Sequence, residues 1–102
     1  MKLNHLFSIL LIFTLTGVNL AQASDVNQGR AIYQRHCAAC HGANGKASMA
    51  GAADFNRGQG LMQSDQALLK RIQRGDKACP AYFGILDKQQ TLDVIAFIRT
   101  LF

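Results

Sequence analysis

Cys37-Ala38-Ala39-Cys40-His41 is the stretch that decides how this chain folds. It places two thiols three residues apart, about one helical turn, with a histidine directly after the second. The spacing C-x-x-C-H reads as a site for covalent attachment of haem. Thiols so placed can reach both vinyl groups on one haem edge. The histidine is then held beneath the ring, where a ring nitrogen can bind the iron. Two competing chemistries fit less well. A redox dithiol of this spacing belongs in a βαβ pattern, and no stretch of this chain reads as a strand. A zinc site needs a second ligand pair of matching spacing, and the sequence has none.

Upstream of the motif, Asp25 followed by Gln28 has the pattern of a capping box, so a helix is expected from about Val26 to Cys37. Before that, Lys2 precedes an apolar run, Leu6 to Leu20, and then the small-x-small triplet Ala21-Gln22-Ala23. This order reads as a secretory signal peptide, residues 1–23, cut after Ala23. The alternative is a retained anchor, but the apolar run is short of the ~20 residues that span a bilayer. No stable membrane span is expected after cleavage, and export places the mature chain, residues 24–102, in the periplasm. Roughly 80 residues rarely build a sufficient apolar core unaided. The chain has three cysteines, an odd number, so a disulfide framework is not the expected staple; a covalent cofactor is.

Downstream, the segment 42–60 carries Gly42, Gly45, Gly51, Gly58 and Gly60 of the nine glycines. So long a glycine-rich connection in a small domain is expected to wrap something. A second helix is expected from Ser64, a good N-cap, to Gly75, a good C′ residue, with Leu68, Leu69 and Ile72 on one face. A third is expected from about Lys88 to Leu101, opened by Asp87 with Gln90 and buried through Leu92, Val94, Ile95, Phe97, Ile98 and Leu101. The formal net charge is +5, and all six acids are aspartates. That balance suits an acidic protein partner. An exported chain without a dense basic run is not expected to bind nucleic acid.

With these elements in hand, the sequence resembles the small class I c-type cytochromes of bacteria, over about Asp25 to Phe102. The resemblance rests on CAACHG at Cys37–Gly42, on Gly29-x-x-x-Tyr33, on LDVIAFIRTL at Leu92–Leu101, and on the turn around Pro80. It implies an all-α fold, with three main helices around one haem c held through Cys37 and Cys40. It implies His41 as an iron ligand and an exposed haem edge where redox partners dock. It also implies one-electron transfer rather than substrate chemistry, and packing of Gly29 and Tyr33 across the last helix near Phe97.

The sequence departs from that family at one decisive place. The residue before the loop proline is usually a methionine whose sulfur is the sixth iron ligand; here it is Cys79, before Pro80. Methionine sulfur is neutral and favours ferrous iron, which raises the potential. A thiolate donates strongly, favours ferric iron and lowers it, and axial ligands move haem potentials over ~0.8 V. Three readings of Cys79 stand: iron ligand, free or oxidised thiol, and partner in an intermolecular disulfide. Met49 and Met62 are the possible replacements as ligand, with packing as their plainer role; Met62 is expected to line the haem crevice. Phe55, Tyr82 and Phe83 are expected to pack on haem, Asn56 and Arg57 are candidate propionate donors, and His36 is expected at the surface. Lys46, Lys70, Arg71, Arg74 and Lys77 either ring a docking surface or simply face solvent.

The function expected is that of a periplasmic electron carrier with histidine–cysteine ligation. A second possibility is a haem subunit of a thiosulfate-type oxidising enzyme, or a haem sensor with Cys79 as a labile ligand, because such ligation resembles that of cytochromes in bacterial sulfur oxidation. A third is a docking subunit of a larger complex.

Overall fold

The computed structural model describes Gly17 and residues 22–102; the stretch read as a leader lies outside the described residues apart from Gly17, Gln22 and Ala23. The elements are α1 (Val26–His36), α2 (Ala38–His41), a 3₁₀ turn (Phe55–Arg57), α3 (Asp65–Arg74) and α4 (Lys88–Arg99). No strand occurs among the described residues beyond one isolated bridge between Phe83 and Leu86. The all-α expectation holds, with helix bounds within about two residues of those read from the sequence.

Each main helix begins where a side chain satisfies its free N–H groups. Ser64 accepts from Ala67 N at 3.1 Å. Asp87 accepts from Gln90 N while Gln90 returns a bond to Asp87 N, a complete capping box. The box expected at Asp25 is only half made. Its carboxylate accepts from Asn27 N and Gln28 N, but its own N–H donates to Asp93 Oδ1, 2.9 Å away in α4. Asp93, a buried carboxylate, thus ties the start of α1 to the last helix, and Gln89 Nε2 donates to the same oxygen. The sequence suggested a continuous apolar face on α4; the structure buries Thr91 and Asp93 and leaves Leu92 only half-buried. Thr91 is tolerated because its hydroxyl donates to Asp87 O at 2.8 Å.

α1 and α4 cross in close contact. A Cβ on Gly29 would lie 2.0 Å from Asp93 O and 3.0 Å from Phe97 Cβ, so only glycine permits the approach. One turn on, Tyr33 and Phe97 pack at 5.1 Å between ring centroids, tilted by 58°. These two contacts are the crossing the resemblance implied. α3 packs against α4 as well, and Arg99 locks that end. Its guanidinium donates to Asp65 Oδ1, Leu61 O and Gln63 O at 2.9, 2.9 and 2.7 Å. The shared core comprises Ile32, Tyr33, Leu61, Tyr82, Leu86, Val94, Phe97 and Ile98. Cys37, Phe55 and Cys79 pack against its border.

Candidate functional site

The C-x-x-C-H motif sits on a break in the chain rather than inside one helix. Tyr33 O accepts the Cys37 N–H, capping α1, and Cys37 O then accepts from Cys40 and His41 N to begin α2. The resulting single turn carries Cys37, Cys40 and His41 together. The sequence predicts the first helix through to Cys37 and carries no signal for this restart.

His41 is held on several sides. Its Nδ1 lies 2.9 Å from Ala53 O. A carbonyl can only accept, so Nδ1 carries the proton and Nε2 keeps its lone pair, the tautomer a metal-ligating histidine needs. Phe55 stacks on the imidazole at 4.3 Å between centroids, with planes 15° apart. The Tyr33 hydroxyl donates to Gly42 O at 2.6 Å and fixes the chain just beyond His41. The glycine-rich segment therefore does wrap the motif: Ala53 and Phe55 reach it, while Ser48 and Met49 donate their N–H groups to Cys40 O.

Cys79 is brought to the same region from the other side of the chain. Gly75, at the end of α3, has φ 71°, and a Cβ there would fall 2.6 Å from Ala81 N and 2.7 Å from Cys79 O. The Cys79-Pro80-Ala81 segment thus lies directly on Gly75. Asp76 N donates to Cys79 O at 2.8 Å, and Tyr82 N donates to Ile72 O at 3.1 Å, fixing the segment at both ends. Pro80 itself is exposed on the outside of this turn. Burial pushes the Cys37 thiol up to about 12, and nearby charge on Cys79 and then Cys40 adds to the effect. Tyr82 is raised by burial and then by the same three thiols. The three sulfurs therefore share one neighbourhood, bordered by Tyr82, whose hydroxyl donates to His36 O at 2.9 Å. All three cysteines are free thiols. No three His, Cys, Asp or Glu side chains among the described residues converge on a point as they would around a directly bound ion. The donor set fits haem instead: two thiols and one lone-pair imidazole on a single turn, facing a third thiol on a separate loop.

Other expectations divide. Phe55 packs on His41 and Tyr82 beside the thiols, but Phe83 is 79% exposed, because the turn that buries Tyr82 sends the next side chain outward. Met62 is 95% exposed rather than packed in a crevice: Arg99 holds the carbonyls on either side of it and leaves its side chain in solvent. Met49 is 48% exposed. Asn56 and Arg57 are exposed on the 3₁₀ turn. His36 is half-buried, its ring edge-on to Tyr82 at 5.5 Å, rather than at the surface. The roles of Ala53 O and Gly75 had no signal in the sequence, since one is a main-chain oxygen and the other read only as a helix end.

Comparison with known proteins agrees with this geometry. Residues 24–98 match the family model described as cytochrome C oxidase, cbb3-type, subunit III. The chain is 33% identical over 93 residues to cytochrome c6 of Thermosynechococcus vestitus, covering 89% of this chain and 81% of that protein. It is 33% identical over 93 residues to cytochrome c6 of Thermostichus vulcanus, with the same coverage. It is 27% identical over 102 residues to cytochrome c6 of Pyropia yezoensis, covering 95% of this chain and 90% of that one.

Proposed function

The chain belongs to the small monohaem class I c-type cytochromes, and from that premise we propose that it is an exported electron carrier with histidine–cysteine ligation of its iron. It carries covalently bound haem c and acts in electron transfer. On this reading Cys37 and Cys40 would form the thioethers that hold the haem, and His41 Nε2 and the Cys79 sulfur would be the residues that bind its iron. The haem supplies an iron that changes between ferric and ferrous by one electron. The chain's own residues keep the ligands still. Ala53 O and Phe55 orient His41, and the bond from Asp76 N together with the Gly75 contact holds Cys79. A rigid second shell of this kind fixes ligand orientation and tunes basicity.

The observation that carries Cys79 as ligand is its placement: its backbone is fixed by the bond from Asp76 N and the Gly75 contact, and its side chain packs with that of Cys37 against the same core. Met62, the other candidate nearby in sequence, points into solvent. The leader read at residues 1–23 would deliver the chain to the periplasm, and no helix among the described residues is long and apolar enough to cross a membrane. Redox partners would dock at the haem edge, with acidic ones favoured by the excess of basic over acidic residues that remains after Lys2 is removed with the leader.

A second reading has one observation in its favour. The Cys79 thiol is only half-buried and makes a single weak bond, to Pro80 O at 3.7 Å. A ligand so lightly held suits a labile site, as in a haem sensor or a haem subunit of a thiosulfate-type oxidising enzyme.

Low-temperature electron paramagnetic resonance of the ferric holoprotein tests both readings, with Cys79→Met alongside. A low-spin thiolate signal that disappears in the variant, with the potential rising by more than 100 mV on the order of axial-ligand effects, is the expected result. A high-spin signal in the wild type would remove Cys79 from the iron and favour the labile site. A signal unchanged by the substitution would turn attention to Met49 or Met62.

A further inference from the structure

The break between α1 and α2 leaves a carbonyl without its helical donor. Were α1 to continue, Cys40 N would bond to His36 O; it turns instead to Cys37 O, 3.3 Å away. The Tyr82 hydroxyl serves His36 O in its place, donating at 2.9 Å across 46 residues of sequence. The tyrosine is 8% exposed and belongs to the core cluster. The His36 imidazole meets its ring edge-on, with 5.5 Å between centroids and 75° between planes. His36 thus contributes both its carbonyl and its ring to the contact.

Tyr82 also ends the loop that carries Cys79. Its N–H donates to Ile72 O at 3.1 Å, and its carbonyl accepts from Ile85 N and Leu86 N at 2.9 and 3.0 Å, so the chain doubles back within five residues. The phenol is therefore mounted on a fixed backbone. The loop's other fixed points join it to itself or to the end of α3: Asp76 N on Cys79 O, and Gly75 against Ala81. Among the described residues, the Tyr82 hydroxyl makes the one hydrogen bond between segment 76–86 and residues 36–60, the half of the chain that carries the motif. The Cys79 sulfur does little to hold itself, since its single bond is the 3.7 Å contact with Pro80 O.

We infer that Tyr82 is a positioning residue for Cys79. The bond from its hydroxyl to His36 O holds the loop against the turn that carries the two motif cysteines, and so sets how readily the sulfur is displaced from the iron. This rests on Cys79 as iron ligand. A loop that swings away from the motif while staying attached to α3 must break this bond. Breaking it leaves His36 O without a partner, and a carbonyl so stranded opposes the opening. The tie keeps the sixth position closed to small molecules, as a carrier requires and a sensor does not.

Imidazole is the probe, titrated into the ferric holoprotein and followed by visible absorption, in wild type, Tyr82→Phe, Cys79→Ala and the double variant. Phenylalanine keeps the ring in the core and removes only the hydroxyl. Tyr82→Phe should bind imidazole about tenfold more tightly than wild type, an amount equal to ~1.4 kcal/mol. Cys79→Ala should also bind it more tightly, and adding Tyr82→Phe to Cys79→Ala should gain nothing further, because no sulfur remains to be held. Such non-additivity isolates the coupling between the two residues. A tenfold gain that persisted in the Cys79→Ala background would overturn the inference, since the hydroxyl would then act on the fold and not on the sulfur. Wild-type affinity in Tyr82→Phe, beside tighter binding in Cys79→Ala, would overturn it while leaving Cys79 on the iron. An affinity indifferent to Cys79→Ala would instead remove Cys79 from the iron, and the inference with it.

Discussion

Tyr33 has no exposed surface, yet its hydroxyl finds Gly42 O at 2.6 Å. A phenol buried in this way holds its proton: burial raises its pKa from 10.0 to about 12, and charge on Cys37 adds to this only while that thiol is free rather than bound in a thioether. The stability this contributes is fully present below the unfolded value of 10.0 and is lost as pH rises through about 12. Urea unfolding of the holoprotein between pH 9 and 12 should therefore show stability declining only above about pH 10. Tyr33→Phe should be less stable at pH 7 by ~1 kcal/mol, the worth of one hydrogen bond, but should decline less steeply in alkali. The decline does not vanish in the variant, because Tyr82 is also raised by burial. A Tyr33→Phe protein with an unchanged alkaline slope would show that some other group governs the transition.

At the scale of elements, the crossing of α1 over α4 is the least forgiving contact. Gly29→Ala places a methyl 2.0 Å from Asp93 O, a main-chain atom that cannot rotate away. The helices must separate, which also strains the Tyr33–Phe97 pair and the bond from Asp25 N to Asp93. A loss of ~3 kcal/mol or more, at the upper end for single substitutions, should appear as a lower midpoint in urea; a loss under about 1 kcal/mol would mean that the crossing adjusts. This crossing was legible through the resemblance to class I c-type cytochromes, which Gly29-x-x-x-Tyr33 and Phe97 carry. The starts of α1, α3 and α4 were legible directly, because Asp25, Ser64 and Asp87 act on N–H groups only two or three residues away. The contacts that escaped are those between residues far apart in the chain. Asp93 on Asp25 N and Arg99 on Leu61 O use side chains that look, in sequence, like ordinary solvent-facing charges. Phe83 escaped for a similar reason: hydrophobicity alone cannot say that a five-residue turn will bury Tyr82 and expel its neighbour.

For the molecule as a whole, the question is what holds so small a chain together. Among the described residues ten apolar side chains are buried, and eight of them form one cluster drawn from α1, α4 and the loops on either side of α3. The segment 43–60 adds little to that core; within it only Gly45 is buried, and Phe55 and the alanines are half-buried at best. What ties this segment down is the motif itself, through Ala53 O on His41 and through Ser48 and Met49 on Cys40 O. A core in a chain of this size rarely supplies more than ~3–5 kcal/mol, so the covalent haem must serve as a structural element as well as a redox centre. Cys37→Ala/Cys40→Ala, which leaves no thiol in the motif, should yield a haem-free chain with at least half its helical circular dichroism lost. Its first proteolytic cuts should fall within residues 43–60, where the backbone has lost its anchor. Cys79→Met, which leaves the two motif cysteines in place, should retain haem, helix content and a cooperative melt. The contrast separates attachment from ligation: both variants lose a thiol beside Tyr82, but only the first removes the group around which the glycine-rich segment closes. A haem-free double variant that melted cooperatively with full helix content would show that the apolar core is sufficient by itself, and that the haem site is mounted on an already stable fold.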